Sequence, residues 1–332
     1  TQLKRRSSFI PLALQSSRNS SVRLQQLKTD FEIFSRASCK GTLETNKHLK
    51  SLFMRINVLM ITYNRPRYVA ISLPRLCETL PHGAQLVIWD NASQPETRAL
   101  LKQYEGHARV AEIRYNVSND KLRGPTNWFW QKYGDADFVS KVDDDCLMPH
   151  GWCETLVRAH TDIPDAGALG CWRFPDEDFL PELANKKILS HAGHRIMRNC
   201  WVEGSGYLMK SSMLRRLGPL QEKESFPAYC IRGAAEGFIH GWYYPFLFQD
   251  HFDDPRSPHT DYTSEEAFQA HRPLSAGTFS IETLEGWKNR LRHSARTLQE
   301  YSYDPNDFVG PKASIKKTWA RLLRREYFPR VS

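Results

Sequence analysis

The stretch Ile56-Asn57-Val58-Leu59-Met60-Ile61-Thr62-Tyr63-Asn64-Arg65-Pro66 holds the first unit of the fold. Its first seven residues are nearly all apolar, as in a strand buried on both faces. Tyr63-Asn64-Arg65-Pro66 breaks the strand, and apolar residues then recur at helical spacing from Tyr68 to Leu80. The unit repeats. Gln85–Trp89 forms a second strand, ends on Asp90-Asn91-Ala92-Ser93, and leads to a helix from Pro95, a residue suited to a first helical turn. Val110–Tyr115 ends on Asn116-Val117-Ser118-Asn119 and precedes a helix over Thr126–Tyr133. Phe138–Val142 ends on Asp143-Asp144-Asp145. This alternation implies a mostly parallel α/β sheet with helices on both faces. In such sheets the ligand crevice lies beyond the carboxyl ends of the strands. Polar residues collect at all four of those ends, so four loops are expected to meet at one cleft.

Three adjacent carboxylates repel one another, and the cluster costs free energy unless a cation or a hydrogen-bond network sits there. Asp143 and Asp145, in Asp-x-Asp spacing after a strand, suit a divalent cation with hard oxygen ligands, Mg²⁺ or Mn²⁺. An isolated acidic triplet is an ordinary solvated turn. The strand context and the three other loops favour the metal.

Beyond Pro149 the rhythm changes. Gly151–His160 suits a helix and Ala168–Phe174 a strand, while Pro175–Asn199 is polar and irregular. Trp201–Lys210 is expected as a strand interrupted by Gly204 and Gly206, where backbone lies close to a ligand. Ser225-Phe226-Pro227 opens a helix to about His240, and Gly241–Phe248 is aromatic and extended. His191, His194 and Cys200 match no standard zinc spacing. Trp128, Trp130 and Trp242 are expected in the core.

The 332 residues carry a net charge of +9, and the basic residues sit at the ends. Residues 1–50 hold 10 Lys+Arg against 3 Asp+Glu, and residues 312–332 hold 7 against 1, so the body between is mildly acidic. Any attraction to an anionic surface acts through the ends. At the second of these ends Ile315, Trp319, Leu322 and Leu323 share one helical face ringed by Lys316, Lys317, Arg321, Arg324 and Arg325. Such a helix lies on anionic membranes or docks on the body. Seven cysteines without regular spacing suggest reduced thiols, hence a cytoplasmic protein, peripheral to the membrane at most. Glycosylation of the Asn91-Ala92-Ser93 and Asn116-Val117-Ser118 sequons would block the cleft, which fits that location. Three segments follow: a basic extension over 1–53, a catalytic domain over 54–256 that divides near residue 145, and an extension over 257–332.

The order V-L-M-I-T-Y-N-R, L-V-I-W-D-N-A-S, N-x-x-N with G-P-T-N, and V-D-D-D-C-L-M-P resembles family 2 glycosyltransferases of the GT-A, Rossmann-like fold. The later G-S-G-Y-L-M-K and G-W-Y-Y-P-F-L-F-Q-D-H fit the second half of that family, and the likeness spans about 54–256. It implies sugar transfer from a nucleoside diphosphate donor, usually a UDP-sugar, with inversion at the anomeric carbon. The acceptor class it suggests is a glycan or lipid-linked molecule in envelope polysaccharide synthesis. By position, Thr62, Asn64 and Arg65 would lie along the nucleotide and Asp90 would accept from the base. Asn119, Gly124 and Asn127 would border nucleotide and sugar, beside Asp143 and Asp144. Asp145, with Asp143 and His251, would hold the metal.

Inversion needs a general base to take the acceptor proton. The family supplies it from a Glu-Asp pair at a helix start, and Tyr229 and Cys230 stand at the corresponding positions here. Glu224 is the first substitute, Glu203 the second, and Asp253 and Asp254 follow; Glu222 and Glu236 are the other nearby acids. Two other functions compete. The basic ends could hold nucleic acid for base glycosylation, against which the acidic body argues. The missing pair could mark a catalytically silent nucleotide-sugar binder.

Overall fold

A computed structural model describes residues 54–323 and 327–331. The basic N-terminal extension, Arg324 and Arg325 lie outside them. The described chain opens with β1 (Ile56–Thr62), α1 (Pro66–Thr79), β2 (Ala84–Asp90), α2 (Pro95–Lys102), β3 (Val110–Tyr115), α3 (Arg123–Tyr133) and β4 (Phe138–Lys141). It continues with β5 (Cys146–Leu147), α4 (Trp152–Asp162), β6 (Ala166–Gly170), α5 (Pro181–Ala184), β7 (Ile188–His191), β8 (His194–Asn199) and β9 (Tyr207–Lys210). The last elements are α6 (Ser211–Leu217), α7 (Phe226–Ala235), β10 (Ile239–Tyr244), β11 (Asp250–His251), α8 (Glu265–His271), α9 (Leu274–Thr278), α10 (Leu284–Glu300) and α11 (Gly310–Leu322).

Nine strands form one sheet in the order β3-β2-β1-β4-β9-β6-β10-β8-β7. The β3-β2-β1-β4 half is parallel, and β9 enters antiparallel to both β4 and β6. β1 is central to the parallel half, and its alternate residues feed two cores. Ile56, Val58 and Met60 pack with Val69, Leu73 and Leu76 of α1, and Leu59 and Ile61 pack with Phe129 and Trp130 of α3. A strand with a period of two and both faces covered must be apolar throughout. Pro66 and Pro95 open their helices, where a missing N–H costs nothing.

The second half departs from the sequence expectations. The β6 strand ends at Gly170 rather than Phe174, because Cys171 and Trp172 leave the ladder to bond Gly206 and Leu247. The irregular segment 175–199 contains α5 and the β7–β8 hairpin, whose alternation is too weak to stand out. Only Tyr207–Lys210 of the Trp201–Lys210 stretch is strand. Helix α7 stops at Ala235, and Gly237, at φ +91°, turns the chain into β10.

Residues after 256 pack against the sheet unit. Trp287 Nε1 of α10 donates to Asp253 O at 2.7 Å, and buried Lys187 Nζ donates to Leu298 O at 2.6 Å. Among the described residues no helix is long and apolar enough to cross a membrane.

Candidate active site

The loops at the carboxyl ends of β1, β2, β3 and β4 are tied to one another. Asn64, in the left-handed conformation that asparagine tolerates, donates its N–H to Ser93 Oγ at 3.0 Å, while its Oδ1 accepts from Gln94 N at 2.7 Å. Asn91 Nδ2 donates to Lys121 O at 2.8 Å, and Asn91 Oδ1 accepts from Asp120 N. Tyr63 N faces Asp144 Oδ2 at 3.4 Å. The four loops thus converge as their polar composition suggests.

Beside them opens a cleft of about 570 Å³. Arg65, Asp143, Asp145, Glu203, Glu224 and His251 all line it. Thr62, Asn64, Asp90, Asn119, Gly124, Asn127 and Asp144 are not among its walls. Asp90 is fully buried, accepting from Ser93 N and paired with Arg98 Nε at 2.7 Å. Asn127 makes two hydrogen bonds to the Leu220 backbone and so holds α3 against that loop. Asn119 caps its own turn through Lys121 N.

Arg65 sits among three carboxylates. Its guanidinium meets Asp145 at 2.7 Å, Asp253 at 3.1 Å and Asp144 at 3.9 Å. One cation cannot compensate three buried anions. Burial pushes Asp144 up to about 7 and Asp253 up to about 6, with Asp145 adding to both shifts. Burial opposes ionisation of Asp145 too, but His251 and Arg65 outweigh it and hold that carboxyl well below the usual range. Asp143 pairs with Lys141, and burial raises its carboxyl nonetheless.

The short β5–β11 pairing sets His251 opposite Cys146 and beside Asp145. Asp145, Cys146 and His251 each bring a ligand atom within 4.8 Å of the others. Burial lowers His251 to about 4, so its imidazole is neutral at neutral pH, and its buried Nδ1 has no hydrogen-bond partner among the described residues. Burial keeps the Cys146 thiol protonated. A carboxylate and a neutral imidazole fit a divalent cation, which Asp145 and His251 would hold.

Glu203 lies on the same cleft. Its Oε1 pairs with Arg173 Nε at 2.6 Å, and its buried Oε2 has no partner among the described residues. Burial raises its carboxyl, with Arg173 opposing the shift. Arg173 Nη1 in turn lies 3.2 Å from His251 Nε2. Glu203, Arg173, His251 and Asp145 therefore form one continuous run of contacts. Glu224 differs. Both of its oxygens bond Arg232, Gln221 N adds a third hydrogen bond, and the carboxyl is lowered although burial alone would raise it. Tyr229 and Cys230 lie inside α7, fully buried, whereas the helix starts at Phe226 with Ser225 as its cap.

Arg173 and Gln249 carry no role in the sequence reading. Extending β6 to Phe174 hid Arg173 inside a strand, although it follows the strand end as the other site residues do. Gln249 is fully buried, lines the cleft and presses on Gly206, where a Cβ would come within 1.5 Å of its Oε1. Gly206 also has φ +67°, so glycine is required there on two counts.

A family model, Glycosyl transferase family 2, matches residues 57–222. Among curated proteins, the glucosyl-dolichyl phosphate glucuronosyltransferase of Haloferax volcanii is 25% identical over 140 residues, covering 39% of this chain and 43% of that protein. The match thus spans less than half the length of that relative. Among solved structures, the mannosyltransferase PcManGT from Pyrobaculum calidifontis, in complex with GDP-Man and Mn²⁺, superposes with TM-score 0.51 at 17% identity. It covers 83% of this chain and 82% of its own. S. aureus TarS 1-349 in complex with UDP-GlcNAc gives TM-score 0.48 at 12% identity, covering 82% of this chain and 93% of its own. The GT-A, Rossmann-like fold expected from the motifs is the fold observed, and the chain belongs to glycosyl transferase family 2.

Proposed function

We propose that this glycosyltransferase is an inverting, metal-dependent hexosyltransferase. It moves a sugar from a nucleoside diphosphate, expected to be UDP, to a lipid-linked glycan acceptor in envelope polysaccharide synthesis at the cytoplasmic membrane face. The observation that carries the reading is the run from Glu203 through Arg173 and His251 to Asp145 along one cleft.

Glu203 is the better base than Glu224, because one of its oxygens is uncommitted and burial raises its proton affinity. Its Oε2 takes the proton of the acceptor hydroxyl. The acceptor oxygen forms its bond to the anomeric carbon as the bond from that carbon to the diphosphate oxygen breaks on the opposite face. Arg173 fixes the Glu203 carboxylate and keeps it ionised until the proton arrives. A divalent cation held by Asp145 and His251 would neutralise the departing diphosphate. Arg65 lies alongside as a second positive charge. Asp90 is fully buried with both oxygens engaged, so for it to accept from the base as the motif implies Arg98 must release its Oδ2, with Thr62, Asn64, Asn119, Gly124, Asn127 and Asp144 shaping the loops around it.

A lipid-linked acceptor is favoured by the cleft mouth. Leu122, Leu274 and Phe279 line it and are 55%, 78% and 50% exposed. Arg123 and Arg290 stand beside them. Exposed leucines offer little to a free sugar, while an apolar chain next to a phosphate suits both the apolar and the arginine side chains. The name of the archaeal relative, which describes a sugar on a dolichyl phosphate, agrees.

Calorimetric titration with UDP, GDP, CDP and dTDP, each with Mn²⁺ and with EDTA, tests the reading on wild type and Asp145→Ala. Cation-dependent binding of one nucleotide, lost in Asp145→Ala, is expected. No binding under any condition would refute it. Binding without donor hydrolysis or transfer would leave a silent binder.

A further inference from the structure

Helix α11 presents to solvent the face that a helix serving only the fold would bury. Ala313 is buried, Lys317 Nζ donates to Phe308 O at 2.6 Å, and Lys317 and Ala320 face Trp201, Tyr301 and Tyr327 across a hollow. The helix thus rests on its small residues. Ile315, Trp319, Leu322 and Leu323, at positions i, i+4, i+7 and i+8, are 59%, 61%, 70% and 59% exposed. They form one stripe, since residues three and four apart share a helix face. Val309, just before the helix, adds to the exposed apolar surface.

We propose that this stripe docks on an anionic lipid bilayer. The argument is charge. Helix α11 contains no acid. Lys312 and Lys316 are exposed along one flank, although Lys316 also reaches Asp307 at 3.3 Å. Basic residues around large apolar side chains, with a tryptophan among them, match the boundary between headgroups and acyl chains. A second copy of the chain is a poorer occupant. Two copies of a helix without acids offer no opposite charge of their own to each other's Lys312 and Lys316. The inference needs no transfer activity, so it stands or falls apart from the proposed reaction.

Vesicle flotation of the full chain is the test. It uses neutral phosphatidylcholine vesicles and vesicles that also contain phosphatidylglycerol. Flotation is expected with the anionic vesicles, weakened by high salt. Lys312→Glu/Lys316→Glu should lower the apparent affinity by tenfold or more, on the order expected for two reversed charges near a membrane. Trp319→Ser/Leu322→Ser, on exposed side chains, should abolish flotation while leaving thermal melting unchanged. Equal flotation on both vesicle types would overturn the proposal, as would none on either. So would flotation unaffected by Trp319→Ser/Leu322→Ser. Concentration-dependent dimerisation that this double variant removes would assign the stripe to a second copy instead.

Discussion

The two halves of the sheet treat their polar groups differently. In the parallel half, β3-β2-β1-β4, the loop ends bond one another. Asn64 holds Ser93 and Gln94, Asn91 holds Lys121 and Asp120, and Asp90 holds Arg98. In the mixed half, Glu203 Oε2, Gln249 Oε1 and His251 Nδ1 are buried along the cleft without a partner among the described residues. Buried polar atoms left unpaired are costly and mark places where a ligand can make the missing bond. The loop ends of the first half are tied to one another, although Thr97 Oγ1 on α2 is also buried without a partner among the described residues, and the proposed reacting groups come mainly from the second. Asp145, at the junction, belongs to both.

The hardest test of this division is Glu203→Gln, which keeps the shape and removes the proposed base. The turnover rate should fall about 10³-fold, or about 4 kcal/mol of barrier, with nucleotide affinity nearly unchanged. In wild type, turnover should rise with pH through a value above the ordinary glutamate range, because burial raises the Glu203 carboxyl. A single-turnover pH profile measures both. Full activity in Glu203→Gln would return the chemistry to another acid on the cleft.

Next in size is acid stability, which should fail in the second half first. His160 Nε2 on α4 donates to Leu208 O of β9, and His240 of β10 accepts from Ala168 N of β6. Burial lowers both to about 3, from an ordinary 6.5. The unfolded chain therefore binds more protons between those values. The stability is present above pH 6.5, declines as pH falls, and is gone near 3. At pH 5 each histidine should cost roughly 2 kcal/mol relative to neutral pH. Amide exchange at pH 5 should loosen β6, β9 and β10 before β1 and β2. Uniform loosening would show that the halves do not differ.

The same contrast explains what the sequence could and could not reveal. The β1, β2 and β4 strands are buried on both faces, so their apolar runs stand out, and their polar ends point to the crevice. Residues such as Ile56, Val58 and Met60 carry fold information one by one. The mixed half is built from short strands whose pairing is distant. The β6 strand meets β10 from more than sixty residues away in sequence, and nothing local in Ala166–Gly170 specifies it. Arg173 does not stand out in the sequence for that reason, since its proposed role depends on where β6 stops and on contact with residues 203 and 251. Motif order points to Asp145 and His251, and the structure brings them together through β5 and β11, two residues each.

Gly206→Ala probes the seam between the halves. Gly206 N donates to Lys141 O of β4, and its own O accepts from Cys171 N beyond β6. An added Cβ meets Gln249 and imposes a left-handed backbone on alanine. The expected loss is about 2 kcal/mol of stability, read by denaturant melts, with Gln249 displaced toward the cleft. A neutral outcome would mean that Gln249 moves freely and that the seam is loose.

The smallest effect is expected from Glu224→Gln, and it is the most direct check on the choice of base. Glu224 borders the same cleft and precedes the α7 start, where the family's base belongs, yet its oxygens are spent on Arg232 and Gln221 N. A carboxylate held this way has its proton affinity lowered, the wrong direction for accepting a proton in the transition state. Glutamine keeps one acceptor for Arg232, whose Nη1 also holds Leu217 O. The variant should lose about 1 kcal/mol of stability, and its turnover should stay within about threefold of wild type. A rate loss comparable to that of Glu203→Gln would instead make Glu224 the base, with Arg232 releasing it on acceptor binding. The difference between the two glutamates would then lie in motion rather than in their resting contacts.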